Sequence, residues 1–104
     1  MIKMRIENKK IEGDIKIAEE LTVNGTITGS AVVSNGGKLI LNGIIKQDVI
    51  LERGSYVELY GEVEGDVHNH GGELKIYGKV NGSVYKDAGV IVIHPTAAIK
   101  GKIY

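Results

Sequence analysis

Apolar residues recur every six positions along most of the chain, at Ile15, Leu21, Ile27, Val33, Leu39, Ile45, Leu51, Val57 and Val63. Three such steps make eighteen residues, and segments at that spacing align with each other: 21–27, 39–45, 57–63 and, seventeen residues later, 74–80. Within each segment apolar and polar residues alternate, which is the periodicity of a β-strand with one buried side. The pattern therefore predicts a repeat protein built from short strands.

Aligning the repeats stacks the inward side chains into columns. The first column holds Leu21, Leu39, Val57, Leu74 and Ile91, the second Val23, Leu41, Leu59, Ile76 and Ile93, and the third Ile27, Ile45, Val63, Val80 and Ile99. A column of glycines, at Gly25, Gly43, Gly61 and Gly78, predicts a tight corner without room for side chains. We therefore predict an all-β, single-domain β-helix over residues 11–104, with three short strands per turn and five to six turns. Residues 1–10 would add an N-terminal strand or cap.

Two other architectures fit parts of this pattern. Asn24-Gly25 and Asn42-Gly43 are typical of two-residue hairpin turns, which would give an antiparallel sandwich. The same position is Tyr60 in a later repeat, however, and tyrosine is disfavoured where a tight hairpin needs a positive φ. The six-residue period also suits the left-handed hexapeptide helix of acyltransferases, but the glycine that follows the aliphatic residue there is missing here. We therefore expect a right-handed solenoid.

Outward side chains should be matched between neighbouring turns if the repeats stack. The alignment places Lys46 beside Glu64, Glu58 beside Lys75, Glu62 beside Lys79, and Tyr60 over Tyr77. Opposite charges on adjacent strands contribute only a few tenths of a kcal/mol each. They indicate the register of the repeats more than they stabilise the fold.

Charge and composition narrow the classes of function. Lys and Arg number 13, and Asp and Glu also number 13, so we expect no broad basic surface for nucleic acid. The chain has no cysteine, which excludes a disulfide framework and a zinc–thiolate site. It contains no apolar run of the roughly 18 residues that a membrane span needs, and residues 1–10 lack the apolar centre of a signal peptide. We expect a cytoplasmic protein without membrane association.

Side chains that could perform chemistry are few and scattered. His68-Asn69-His70 is the one cluster that could attract a metal, and two histidines fall short of the three or four ligands of a typical site. Glu62, Glu64 and Asp66 alternate with lysines of neighbouring repeats and are typical of a solvated surface. We therefore expect a protein that is not an enzyme and holds no metal or cofactor.

Two sets of apolar residues are candidates for contact with other molecules. At the ends of the solenoid these are Ile2, Met4 and Ile6, and Ile99, Ile103 and Tyr104, which could mediate self-association. Lys100, Lys102 and Pro95 oppose docking at the last turn, because charges and proline blunt an exposed strand edge. The second set is a candidate partner face, formed by Val32, Ile40, Ile44 and Ile50 and continued by Tyr85.

The repeat resembles the bactofilin family. The likeness lies in the segments 23–29, 59–67, which reads Leu-Tyr-Gly-Glu-Val-Glu-Gly-Asp-Val, and 76–84, and 93–103 is similar to a closing bactofilin turn. Bactofilins are bacterial cytoskeletal proteins that polymerise through a right-handed, three-sided β-helix core. Their flexible tails, often with a membrane-targeting segment, are almost lacking here, so membrane attachment is not carried over.

The resemblance implies a non-catalytic structural protein that self-associates through its terminal turns into dimers or filaments. The alternative is a small binding module, such as an adaptor or inhibitor, that uses the face around Val32, Ile40, Ile44 and Ile50. A third hypothesis is a sugar-binding or sugar-processing solenoid that uses Tyr60, Tyr77 and the nearby carboxylates.

Overall fold

A computed structural model describes residues 4–104, which form fourteen β-strands and no helix. In chain order the strands are β1 Met4–Glu7, β2 Ile15–Ile17, β3 Glu20–Val23, β4 Thr26–Ile27, β5 Ala31–Val33, β6 Lys38–Leu41, β7 Ile44–Ile45, β8 Val49–Leu51, β9 Tyr56–Leu59, β10 Glu62–Val63, β11 Val67–Ile76, β12 Lys79–Val80, β13 Val84–Ile93 and β14 Ala98–Ile99. Within these residues, no helix could cross a membrane.

Parallel pairing between successive turns winds the strands into a three-sided solenoid. Face A stacks β1, β3, β6, β9 and the second halves of β11 and β13. Face B stacks β4, β7, β10, β12 and β14, and face C stacks β2, β5, β8 and the first halves of β11 and β13. The predicted all-β solenoid with three short strands per turn is confirmed; its right-handed sense stays a prediction.

The register confirms the predicted inward columns. Leu39 pairs with Leu21 on one side and with Val57 on the other, and Leu74 continues the same column. Twelve side chains of these three columns and seven of face C form one buried cluster of nineteen apolar residues along the axis. Burying a single leucine or isoleucine stabilises the fold by about 2 kcal/mol, so the stacked columns are the main source of stability.

The glycine column between faces A and B is required by close approach of the backbone. A Cβ atom at Gly43 would lie 1.8 Å from the carbonyl oxygen of Gly25, and one at Gly61 would lie 2.0 Å from that of Gly43. The residue before each glycine points outward, and no residue other than glycine has a positive φ in the described chain. The hairpin alternative is therefore wrong, since Asn24-Gly25 turns a corner between two faces.

The change from eighteen to seventeen residues per turn falls at the corner from face C to face A. That corner has four residues between β5 and β6 and between β8 and β9, with Gly36 and Gly54 at positive φ. One turn later the strand continues through the corner as the ten-residue β11, and a bulge lies between His70 and Glu73. Loss of one corner residue therefore fuses two short strands into one.

Asn69 stabilises this shortened corner from inside the core. It takes the inward position that Leu51 holds in the turn before, and it is fully buried. Its Nδ2 donates to the carbonyl oxygens of Gly72 and Val90, both at 3.1 Å, and its Oδ1 accepts from the amides of Gly71 at 3.0 Å and Gly72 at 2.8 Å. The buried amide thus makes four hydrogen bonds to backbone groups at the bulge, and each of its own polar atoms has a partner.

Candidate functional site

The C-terminal end of the solenoid leaves part of the apolar core uncovered. Ile93 and Ile103 occupy inward positions of the last turn, yet they are 40% and 55% exposed. Ile91 and Ile99 continue two further columns and are half-buried against the core. Beyond these side chains, β14 and the second half of β13 have no neighbouring strand at their outer edges in the described chain, whereas Val84 in the first half of β13 bridges to Ile103. An open edge over an apolar surface is a ready template for further strand pairing.

The N-terminal end differs because charged residues replace the apolar ones on face A. Strand β1 pairs with β3 so that Arg5 lies beside Leu21 and Glu7 beside Val23, both of which point inward. Ile6 therefore points outward and is 59% exposed. The pairing with β3 therefore places Ile6 on the outer surface of face A and not over the core, and its part in self-association stays a prediction. Of its two companions, Met4 pairs with Glu20 through the backbone, and Ile2 lies outside the described residues.

Faces B and C of the N-terminal end remain apolar. Ile11 pairs with Ile27 in an isolated bridge and is half-buried, and so is Ile15 at the start of β2. An open depression of about 200 Å³, lined by Arg5, Ile15, Leu21 and their neighbours, lies between β1 and β2. The two ends of the solenoid thus differ in their side chains, because face A is charged at the N-terminal end and apolar at the C-terminal end. Both ends present strands of the same three faces.

A ladder of side-chain acceptors runs along the corner between faces B and C. The Oδ1 of Asp14 accepts from the amide of Ser30, the Oγ of Ser30 from that of Asp48, and the Oδ1 of Asp48 from that of Asp66, at 2.7–3.1 Å. Asp66 and Ser83 continue the ladder, and Ser83 accepts from the amide of Lys102. Lys102 ends it, since an ammonium group cannot accept a hydrogen bond.

Aromatic rings form two stacks on the outer surface of the last three turns. Tyr60 and Tyr77 lie 4.8 Å apart at an interplanar angle of 7°, which confirms the predicted pair, and His94 follows at 5.1 Å. On face C, Tyr85 stacks between His68 and Tyr104, with 4.8 Å to each ring. In the earlier turns, the position of Tyr60 and Tyr77 is occupied by Asn24 and Asn42. The Nδ2 of Asn42 donates to the Oδ1 of Asn24 at 2.9 Å.

Face A carries a polar cluster around Glu58. Its carboxylate accepts from the hydroxyl of Tyr56 at 2.5 Å and from that of Tyr60 at 2.8 Å, and the Nζ atoms of Lys38 and Lys75 lie over the Tyr56 ring. The hydrogen bond from Tyr56, followed by the one from Tyr60, lowers the pKa of Glu58. Desolvation and the bond to Glu58 raise the pKa of Tyr56. The cluster lies on a flat strand surface, and the lowered pKa keeps Glu58 ionised, so the group does not resemble a general acid.

Replacing Tyr56 by phenylalanine should raise the pKa of Glu58 towards its ordinary value. The change removes the larger of the two hydrogen bonds that favour the carboxylate. Tyr60→Phe is the matched control, and we expect a smaller rise because that bond contributes less. Carbon-detected NMR titration of the Glu58 carboxyl measures both values. An equal rise in the two variants would contradict this ranking.

The structure places the His68-Asn69-His70 segment at an outer corner. The two imidazoles flank the buried Asn69 with their centroids 6.2 Å apart, and the Nδ1 of His70 lies 2.7 Å from Asp87. Across the described residues, no group of three or more His, Cys, Asp or Glu side chains could hold a metal ion. His94 lies elsewhere, with its ring tilted by 41° to that of Tyr77 and hydrogen-bonded to Thr96.

The residues of the candidate partner face do not lie on one surface. Val32 and Ile50 are neighbours on face C, and Tyr85 lies in the same column two turns later. Ile40 projects from face A beside Thr22 and Glu58, and Ile44 projects from face B. All five side chains are half-buried. The alternation in the sequence showed that these side chains point outward. It did not show that they belong to strands on three different faces of the solenoid.

The three predicted outward charge pairs are all neighbours in register. One of them forms an ion pair in the described chain. The Nζ of Lys46 lies 3.1 Å from the carboxylate of Glu64. Lys75 pairs in register with Glu58, but its Nζ lies 3.6 Å from Glu73. Glu62 lies beside Lys79 and accepts a hydrogen bond from Asn81 at 2.7 Å.

Comparison with known proteins adds no family to this description. No family model matches the chain, and neither the curated proteins nor the solved structures contain a match.

Proposed function

We propose that this protein is a non-catalytic structural protein, similar to bactofilins, that self-associates through its terminal turns into dimers or filaments. The observation that carries the proposal is the uncovered apolar end of the last turn, where Ile93 and Ile103 are 40% and 55% exposed. Other inward side chains of the same columns are fully buried, for example Ile76 and Val84. A second copy that covers this end would bury the same kind of surface that stabilises each turn.

Two further features support self-association. The terminal strands offer unpaired backbone groups beside the apolar side chains, so docking supplies hydrogen bonds and buried area together. The formal net charge is +0, so little long-range repulsion opposes the approach of two copies.

The purified protein should form larger species as its concentration rises. Light scattering coupled to size-exclusion chromatography measures this, and negative-stain electron microscopy at moderate salt should show filaments or short rods. Ile44→Lys, on face B away from both ends, is the control and should assemble like the natural chain. A sharp monomer at every concentration would reject the proposal.

The alternative of a binding module rests on fewer residues than the sequence suggested, because the candidate partner face is divided among three faces of the solenoid. Its remaining basis is the face C column of Val32 and Ile50, which leads into the stacked rings of His68 and Tyr85. A module of this kind would lose partner capture on Ile50→Lys and would stay monomeric. Assembly without a partner therefore favours the structural role.

A further inference from the structure

We infer that copies of this chain join head to tail, with the C-terminal turn of one copy lying on the N-terminal turn of the next in the register that joins its own turns. This inference rests on the proposed self-association and adds its geometry. The columns of faces B and C begin at one end of the molecule and finish at the other, so a second copy can continue them without a change of spacing.

Apolar side chains match across such a joint on two faces. Ile99 ends the face B column that begins at Ile11 and passes through Ile27. Ile103 bridges to Val84 and thereby ends the face C column that begins at Ile15. In the joint, Ile99 lies on the next copy's Ile11, and Ile103 lies on the next copy's Ile15.

Charges match at the corner between these faces. Lys100 follows Ile99 as Glu12 follows Ile11, and Lys102 ends the acceptor ladder that Asp14 begins. A head-to-tail joint therefore places two lysines beside two carboxylates. The column of Glu12 and Lys100 already contains one such pair within the molecule, between Lys46 and Glu64 at 3.1 Å. Lys100 and Lys102, which seemed in the sequence to protect the last turn from docking, become the groups that select its partner.

A tail-to-tail joint lacks this match. Residues 90–104 carry Lys100 and Lys102 and no acidic side chain, so two such turns bring four lysines together. Like charges on adjacent strands destabilise their pairing. A head-to-tail joint is also heterologous, and one that does not close on itself continues into a filament.

Face A limits the strength of the joint. Ile91 and Ile93 would lie on the next copy's Arg5 and Glu7, because these residues hold the inward positions of the first turn. Burying charged groups against apolar ones opposes association. Arg5→Leu combined with Glu7→Val would continue the columns of Leu21 and Val23 through the joint, and this variant should assemble at a concentration at least tenfold lower.

Charge-altered variants test the joint. The first, Lys100→Glu with Lys102→Glu, makes the C-terminal end acidic. The second, Glu12→Lys with Asp14→Asn, makes the N-terminal end basic and keeps the Oδ1 acceptor for Ser30. Each variant alone should associate roughly tenfold more weakly than the natural chain at low salt, because two attractive pairs become repulsive or are lost. An equimolar mixture should recover natural association, since each altered end then meets its complement.

The control separates an effect of the charges at the joint from an effect of the net charge of the protein. Lys46→Glu with Lys79→Glu makes the same change in net charge as the first variant, but at inner turns. Its two ends are those of the natural chain, so it should associate alone as the natural chain does, whereas an effect of net charge would weaken its association as much as that of the first variant. Sedimentation velocity on all samples, with circular dichroism to confirm folding, gives the comparison.

Several results would overturn the head-to-tail joint while leaving self-association intact. One is natural association of the second variant alone, which is the result expected if C-terminal ends pair with each other. Another is a mixture no better than its components. Filaments provide a second measurement: six strands stacked on face A give an axial repeat of about 29 Å for a head-to-tail polymer, against about 58 Å when the copies alternate in direction. A natural chain that is monomeric throughout would instead reject the proposed function.

Discussion

Gly43→Ala should lower the free energy of unfolding by about 3–5 kcal/mol, the largest effect expected of any single methyl group added to this chain. The new Cβ would lie 1.8 Å from the carbonyl oxygen of Gly25. The Cβ is fixed to Cα and its partner is a backbone atom, so relief requires two turns to separate and their ladder hydrogen bonds to lengthen. Urea unfolding followed by circular dichroism measures the loss.

Gly36→Ala is the matched control for this effect. Gly36 has a φ of 84°, and a Cβ there would have no heavy atom within 4 Å. Its cost should be about 1–2 kcal/mol, since an alanine must adopt a left-handed conformation without a collision. If the two variants lose equal stability, close packing between turns is not what requires Gly43.

Asn69→Leu should lower the free energy of unfolding by about 3–4 kcal/mol, although leucine is the residue at the equivalent position one turn earlier. The leucine leaves the amides of Gly71 and Gly72 without their acceptor, and the carbonyl oxygens of Gly72 and Val90 without their donor. The free energy gained by burying the apolar leucine side chain does not offset the loss of four hydrogen bonds at a buried position.

Asn42→Leu removes an amide from the outer corner instead and should change stability by no more than about 0.5–1 kcal/mol. Asn42 is exposed, and water replaces the hydrogen bond that its side chain makes with Asn24. The thermal unfolding midpoints of the two variants give the comparison. A stable Asn69→Leu protein would show that the bulge rearranges to satisfy its own backbone.

The sequence predicted the solenoid because its determinants are periodic and local. Leu39 packs against apolar neighbours in the turns before and after it, and the nearby carbonyl of Gly25 leaves no room for a side chain at Gly43. An apolar residue and a glycine therefore recur in the sequence every eighteen residues. The stacking of Tyr60 on Tyr77 followed from the same alignment. Position along one repeat was sufficient to infer these contacts.

Features that break the period were not predicted. Asn69 lies between two histidines and was assigned to a solvated corner, but the shortened corner turns its side chain inward. The available signal was the change in spacing from eighteen to seventeen residues, which requires one turn to close differently. Arg5 and Glu7 were missed for a related reason, because alternation alone fixes two possible faces and the pairing with β3 decides between them.

The candidate partner face failed in a different way. Alternation shows that Ile40 and Ile44 point outward, but it does not give the angle between successive strands. The corner at Gly43 separates them onto faces A and B. Grouping surface residues in a solenoid therefore requires columns across turns, and not neighbours along the chain.

The acceptor ladder at the corner of faces B and C also makes the molecule modular in length. Each rung joins one turn only to the next, and serine or aspartate can supply it, as Ser30 and Asp48 show. A chain with one more complete turn would extend the molecule by about 4.8 Å and leave the chemistry of both ends unchanged. Gene duplication of a single coil could thus adjust the dimension of such a protein without redesigning its interior.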